Sequence, residues 1–274
     1  MKPIYITDLD GTLLNAHAEL DSEAKQTLQA LLADGLQCTV ATARTAATVG
    51  SILQGVACPL PVILMNGVCL YDLGQKKYVH TEPLSAAGKE ALLAAVHSLE
   101  LAGFLYSIDT DGLHTYYENT NSPNAQAFMQ ERIKKYGKVF TQVNSLLTCL
   151  CLPLVYYSVS DKKEKLNAAF EALSACKELH VEFYRDIYNA DYWYMEVCSA
   201  NASKYNAVQW LRKTYGAEKI IGFGDNLNDL PLFAACEESY AVENANPEVK
   251  QCATAVIGSN KENGVIHWLR QHAE

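Results

Sequence analysis

Two aspartates separated by one residue, Asp8 and Asp10, follow the apolar run 3–7 and precede Gly11, Thr12 and two leucines. Carboxylates at that spacing, just past a buried strand, can work on one group of atoms. One attacks and the other moves a proton, or both hold a cation. The same Asp-x-Asp-Gly pattern recurs at Asp109-Thr110-Asp111-Gly112, between the strand-like runs 104–108 and 113–118. Asp-Gly joining two such runs is a strong hairpin signal, because glycine takes the positive φ the turn demands. The second pair is therefore expected to be a turn; the first has no matching strand immediately after it. A calcium-binding EF-hand loop is another reading of the first pair, with Asp8, Asp10, Thr12 and Glu19 as ligands. It fails at Leu13, where the sharp bend needs glycine, and at the strand that stands in place of the entering helix.

A carboxylate that attacks a phosphoryl group needs help, because two anions repel. A divalent metal and a cation must neutralise charge, and a second acid must protonate the leaving oxygen. The chain offers each at the end of a strand-like run. Thr42 closes the run 37–42 and presents a hydroxyl. Lys204 opens a helical pattern, where its ammonium and the backbone N–H groups favour phosphate. Asp225, Asn228 and Asp229 lie on a glycine-flanked loop after the run 219–224, a hard-oxygen set suited to Mg2+. Singly, each has a bland reading: a structural threonine, a solvated lysine in a first helical turn, a polar turn with helix caps. Together, at successive strand ends, they point to phosphoryl chemistry, since open α/β sheets place ligands outside the carboxyl ends of their strands.

The elements that must position these residues alternate. Strands are expected at 3–7, 37–42 and 61–65, with helices at 22–35 and 46–55 between them. The pattern returns after residue 203, with a helix over 203–216 whose Val208, Leu211 and Tyr215 fall roughly in line. A strand over 219–224, a short helix, two further strands and a closing helix follow. Strand–helix alternation predicts an α/β fold, a parallel sheet with helices on both faces. The middle, with its Tyr-rich runs 113–119, 152–160 and 191–197, differs in composition. It reads as an α+β module inserted into the core, giving boundaries 1–83, 84–198 and 199–274. Tyr117, Tyr188, Tyr192 and Trp193 are aromatic candidates for lining a cleft, although Tyr-rich strands are more often packing surfaces.

Composition narrows the classes. With 274 residues, 49% hydrophobic and 19% charged, the chain can bury a core and is not disordered. A formal charge of −9 argues against a nucleic-acid partner, which needs clustered Lys and Arg. No run reaches the roughly 18 apolar residues of a membrane span, so no membrane association is expected. The N-terminus lacks the apolar stretch and small-residue cleavage site of a secretory signal. Nine scattered cysteines, with Cys149 and Cys151 lacking a partner pair at zinc spacing, read as reduced thiols of a cytoplasmic protein. Composition specifies no oligomeric state.

Taken in order, "DLDGTLL", "TVATAR", "SKYNAV" and "GDNLND" resemble the four motifs of the haloacid dehalogenase-like hydrolases. Within that superfamily the chain is similar to the Cof-like phosphatases, which carry a large inserted cap. "MNGV" at 65–68, "AVENANPEVK" and "ENGV" look like further marks of the subfamily. The resemblance implies a Rossmann-like core and an Mg2+-dependent phosphatase of small metabolites, sugar phosphates among them. It implies that Asp8 is nucleophile and metal ligand, and that Asp10 is general acid/base and a metal ligand through its carbonyl. Thr42 and Lys204 would hold the phosphoryl group, and Asp225 would bind the metal. Asn228 and Asp229 would position metal-bound water or the lysine. Arg44, Asn66 and Gly67 would lie at the mouth, toward substrate. Ala43, Tyr205 and Glu243 stand where relatives commonly have glycine, departures that bear on substrate range more than on chemistry. A phosphomutase using the same aspartates, and a phospho-ligand sensor on a retained scaffold, are the competing functions.

Overall fold

The structure, a computed structural model, describes residues 2–186, 189 and 191–273, so Tyr188 lies outside the described residues. From the N-terminus, β1 (Ile4–Thr7), α1 (Ser22–Ala33), β2 (Gln37–Val40), α2 (Ala46–Ile52) and β3 (Val62–Leu64) alternate. Strands β4 (Cys69–Asp72) and β5 (Lys77–Thr81) follow, in a three-stranded sheet ordered β3-β4-β5. The middle of the chain runs α3 (Ala86–Ser98), β6 (Phe104–Asp109), β7 (Gly112–Tyr117), α4 (Pro123–Tyr136) and β8 (Thr141–Gln142). It continues through β9 (Leu154–Asp161), α5 (Lys163–Ser174), β10 (Leu179–Arg185) and β11 (Trp193–Ser199). The last part is α6 (Lys204–Tyr215), β12 (Ile220–Gly224), α7 (Leu230–Ala234), β13 (Glu238–Val242), α8 (Pro247–Cys252), β14 (Ala255–Ile257) and α9 (Gly264–His272). The chain divides into two compact units, Met1–His80 with Ser203–Glu274, and Thr81–Ala202.

The first unit is the α/β core. Its five-stranded sheet has the order β14-β13-β12-β1-β2, and every adjacent pair is parallel. Helices cover both faces, α1 packing with α9 and α6 with α7. Interior strand β1 is buried along its whole length, which is why it reads as a continuous apolar run rather than an alternation. Each Leu or Ile buried in this core contributes about 2 kcal/mol. Its neighbours matter for function: β1 is flanked by β12 and β2, so the residues just past these three strands emerge at one sheet rim. Tyr215 departs from the expected helix face. It is exposed while Val208 and Leu211 are fully buried, because it sits in the last turn before the left-handed Gly216 cap.

The second unit is a six-stranded sheet ordered β10-β11-β9-β6-β7-β8. Its pairs are antiparallel except β7 with β8. One face buries Leu105, Tyr157, Val159, Met195 and Val197 against α3 and α5. The opposite face carries Tyr106, Tyr156, Ser158, Tyr194 and Glu196 in cross-strand register. Trp193 is a packing residue, its ring 4.8 Å from Phe183. The second Asp-x-Asp-Gly is the tight hairpin between β6 and β7, with Asp109 paired to Gly112. Asp109 is held there by the Asp111 N–H at 2.9 Å and by His114 Nε2 at 2.9 Å.

Candidate active site

Asp8 is the first residue past β1, and its N–H donates to the Phe223 carbonyl of neighbouring β12 at 2.9 Å. The chain then winds into one wide turn, closed by Leu13 N–H to Asp8 C=O and Leu14 N–H to Leu9 C=O. This tight reversal needs Gly11, whose φ is +79°. It also needs glycine for space, since a Cβ there would sit 2.4 Å from Asp225 Oδ2. The absence of a side chain thus lets two loops, separated by over two hundred residues of chain, come into contact. Thr12 Oγ1 seals the contact by donating to Asp225 Oδ1 at 2.8 Å.

Lys204, fully buried, is the centre of the charge arrangement. Its Nζ donates to Asp8 Oδ1 at 2.7 Å and to Asp229 Oδ1 at 2.6 Å. Ser203 caps the helix, its Oγ accepting from the Asn206 N–H at 3.1 Å, which fixes Lys204 in the first turn. Asp229 is buried and fully engaged: its Oδ2 accepts from the N–H groups of Asp225 at 2.9 Å and Asn226 at 3.1 Å. That reciprocal cap shapes the loop after β12 and aims the Asp225 side chain back at Asp8.

Thr42 and the segment after β3 bring a second group of contacts to the same rim. Thr42 is buried, and its hydroxyl accepts from the Arg44 N–H at 3.3 Å. Arg44 forks onto Asp10, Nε to Oδ2 and a terminal nitrogen to Oδ1, both at 2.6 Å. Met65, Asn66 and Gly67 all have positive φ, forming a left-handed turn. The turn is anchored by Met65 N–H to Arg44 C=O and Asn66 N–H to Thr42 C=O. Gly67 serves close packing, because a Cβ there would lie 2.1 Å from the Ser203 carbonyl oxygen. Asn66 Oδ1 accepts from Asn228 Nδ2 at 3.2 Å. The structure thus brings Asp8, Asp225, Asp229 and Lys204 together, ties Thr42 to Arg44 and Arg44 to Asp10, and ties Asn66 to Asn228. Of the departures from the glycine pattern, Ala43 does not have positive φ, so its Cβ costs no strain. Tyr205 and Glu243 are exposed.

Two asparagines that the motifs did not single out also hold the Asp8 turn. Asn244 Nδ2 donates to the Gly11 carbonyl at 2.7 Å, and its Oδ1 accepts from the Asn260 N–H at 3.0 Å. Asn260 Nδ2 donates to the Leu14 carbonyl at 2.8 Å. Asn244 lies inside "AVENANPEVK" and Asn260 just before "ENGV", and neither segment assigns them a role.

Charge is unbalanced at this rim. Asp8, Asp225 and Asp229 each bring one carboxylate oxygen within 4.8 Å of the others, against the single ammonium of Lys204. Burial is the largest influence on Asp8 and pushes its carboxyl up to about 8; Asp229 and Asp225 add to this and Lys204 opposes it. Burial also lifts Asp225 to about 6, with Thr12 offsetting part. Burial alone would push the Lys204 ammonium down, but Asp8 and Asp229 together hold it up. Among the described residues, Asp8 Oδ2 and Asp225 Oδ2 take no hydrogen bond from a protein donor. Hard anionic oxygens in excess of cations, with lone pairs left open, fit a divalent cation.

A family model described as haloacid dehalogenase-like hydrolase matches residues 5–269. The chain belongs to the haloacid dehalogenase-like hydrolases. Among curated proteins it is 27% identical to the 5-amino-6-(5-phospho-D-ribitylamino)uracil phosphatase YwtE of Bacillus subtilis, over 99% of this chain and 98% of that one. It is 24% identical to the pyridoxal phosphate phosphatase YbhA of Escherichia coli, over 98% of each. The fold matches the crystal structure of TM0651 from Thermotoga maritima with a TM-score of 0.80, at 22% identity, covering 100% of this chain and 98% of that one. The match to TM0651 extends over the core sheet and the second sheet alike.

Proposed function

We propose that this hydrolase is an Mg2+-dependent phosphatase of small phosphorylated metabolites, sugar phosphates among them, working in the cytoplasm through a phospho-aspartyl intermediate on Asp8. The observation that carries the reading is the Asp8–Lys204–Asp229 chain of contacts at 2.7 and 2.6 Å, with Asp225 alongside. The named activities of YwtE and YbhA, both on small phosphorylated compounds, support the substrate class. Nine free thiols, several deeply buried, suit a reducing compartment.

In this mechanism an Asp8 carboxylate oxygen attacks phosphorus while the bond to the leaving oxygen breaks, and Asp10 gives that oxygen a proton. Water then attacks the phospho-Asp8 phosphorus, losing its proton to Asp10, and the bond from phosphorus to Asp8 breaks to release phosphate. Lys204 and the Thr42 hydroxyl hold the phosphoryl oxygens. Asp8, Asp225 and the Asp10 carbonyl would hold Mg2+, with Asn228 and Asp229 in support, and the bound ion would supply charge neutralisation. Arg44 orients Asp10 through its two-pronged contact, and Asn66 with Gly67 shapes the mouth toward substrate. The unit Thr81–Ala202 acts as the cap that selects substrates.

The test is release of inorganic phosphate from a panel of phosphorylated metabolites, with Mg2+ and with a chelator. Asp8→Asn is expected to abolish release while circular dichroism stays unchanged. Phosphate release by the purified variant would sink the mechanism, and an isomerised product without free phosphate would mark a mutase instead.

A further inference from the structure

We propose that Cys149 and Cys151 form a reversible thiol-oxidation site, in which an exposed sulfur meets a peroxide and a buried one beside it closes the disulfide. Of the nine cysteines, Cys151 and Cys252 are exposed, and Cys252 has no other cysteine near it in the chain. One turn brings the Cys149 and Cys151 sulfurs together. Residues Leu146–Cys149 form a short 3-10 helix, capped by the Ser145 hydroxyl, which accepts from the Leu147 N–H at 3.3 Å. A second reversal overlaps its end, where the Leu152 N–H returns to the Cys149 carbonyl at 2.9 Å. Such a turn brings its outer Cα atoms within about 7 Å, so the two cysteines in it come within the separation a disulfide spans. Both side chains meet Thr148: Cys151 Sγ points back to its carbonyl, 4.0 Å away, and its hydroxyl acts on the Cys149 thiol. Contacts on either side anchor the turn. Lys89 of α3 donates from Nζ to the carbonyls flanking Cys151, Leu150 at 3.4 Å and Leu152 at 2.7 Å. The Pro153 carbonyl, just before β9, accepts from the Ser107 hydroxyl at 3.1 Å.

Environment sorts the two roles. Cys149 is 3% exposed, inside the apolar cluster that packs against α3 and α5. Burial raises its thiol above the usual range, Thr148 offsetting part and Cys151 adding to the rise, so it stays protonated and shielded from an oxidant. Cys151 faces solvent. Its thiolate attacks one oxygen of hydrogen peroxide and the O–O bond breaks. Cys151 becomes a sulfenic acid, and the hydroxide released takes up the proton that the thiol had lost, leaving as water. The Cys149 sulfur then attacks the Cys151 sulfur. The S–S bond forms, the S–O bond breaks, and the departing hydroxide leaves with the Cys149 proton as a second water. Two thiols have lost two electrons and peroxide has gained them; a dithiol reductant reverses the change. An exposed bridge across a single residue is of the labile, readily reduced kind. Core packing accounts for Cys149 but gives no reason for a second thiol in the same turn.

The test is mass spectrometry on the full chain. Reduced protein is treated with hydrogen peroxide, unfolded, blocked at its free thiols with N-ethylmaleimide and digested with trypsin. Cleavage after Lys138 and Lys162 releases residues 139–162, which contain Cys149 and Cys151 and no other cysteine. This peptide is expected to lose two hydrogens and take up no maleimide, and to take up two after dithiothreitol. In Cys149→Ser, Cys151 has no resolving partner and should go on to sulfinic acid, the fate expected of Cys252 in the parent. In Cys151→Ser, Cys149 should stay a free thiol. Phenylarsine oxide, which bridges two thiols, should bind either single variant about a hundredfold more weakly than the parent. If Cys149→Ser fails to fold, the peptide from the parent still decides the matter. Maleimide on both thiols of the oxidised parent, sulfinic acid at Cys151 there, or Cys149 joined to a different cysteine would overturn the proposal. No step needs turnover, so the outcome is independent of the phosphatase reading.

Discussion

At the scale of single residues, the decisive contact is one ammonium shared by two buried carboxylates. Lys204 is nearly inaccessible, at 1% side-chain exposure, and Asp229 at 0%. Buried charges are tolerated only when paired, so removing the shared cation leaves both carboxylates stranded. Lys204→Met is therefore expected to lower unfolding stability by about 3 kcal/mol in metal-free solution. Added Mg2+ should restore part of the loss, because it supplies positive charge to the same oxygens. Urea titrations of parent and variant, with and without Mg2+, measure both effects. A variant as stable as the parent without metal would show that the ion pairs contribute nothing net. The bidentate Arg44–Asp10 contact belongs to a different class: with side-chain exposures of 25% and 48% it is worth little stability and acts by fixing direction.

At the scale of elements, the site is a set of loops joined by amide and hydroxyl contacts across great sequence distances. Asn244 reaches Gly11 across 233 residues and Asn260 reaches Leu14 across 246. Asn260 is buried, so Asn260→Ala leaves the Leu14 carbonyl without its donor and should cost about 1–3 kcal/mol. Asn244 is exposed, and Asn244→Ala should barely change stability. It should instead lower kcat several-fold with KM nearly constant, since it frees the turn carrying Asp8 and Asp10 without touching substrate. Thermal melts and steady-state kinetics on the two variants check the split; the same loss in both quantities for both variants would refute it. This division also explains what was legible in the sequence. Asp8, Thr42, Lys204 and Asp225 announce themselves because each sits at a strand end or helix start, a local signal. Asn244 and Asn260 look like ordinary turn residues. Their partners are chosen by tertiary approach, as is the Thr12–Asp225 hydrogen bond. The Arg44–Asp10 fork likewise could not be read from "TVATAR" alone, since Arg44 reads there as a residue facing substrate.

At the scale of the whole molecule, the parallel core was the more readable part, because fully buried strands and capped amphipathic helices carry strong periodicity. Expected strands ran one or two residues long at their ends, as at 37–42 against Gln37–Val40, where Thr42 turns out of the sheet toward Asn66. The second unit was legible in composition but not in arrangement. Its sheet has one apolar and one phenolic face, and tyrosines at successive positions serve both, Tyr157 facing the core and Tyr156 the polar side. That polar face gives the unit a stability that depends on pH. Burial pushes the Glu196 carboxyl from about 4.5 up to about 7, with the Glu182 charge adding and the Tyr156 and Tyr184 hydroxyls offsetting part. The native unit thus keeps a proton that the unfolded chain has lost, and unfolding releases it between those two values. Stability conferred by the neutral acid is complete below about pH 4.5 and is lost as pH rises through about 7. Glu196→Gln preserves the shape and never ionises. It is expected to stabilise the protein by on the order of 2 kcal/mol at pH 8 and by almost nothing near pH 4.5. Melting curves of parent and variant across this range decide the matter, and a difference that stays constant with pH would mean that Glu196 does not titrate in the native unit.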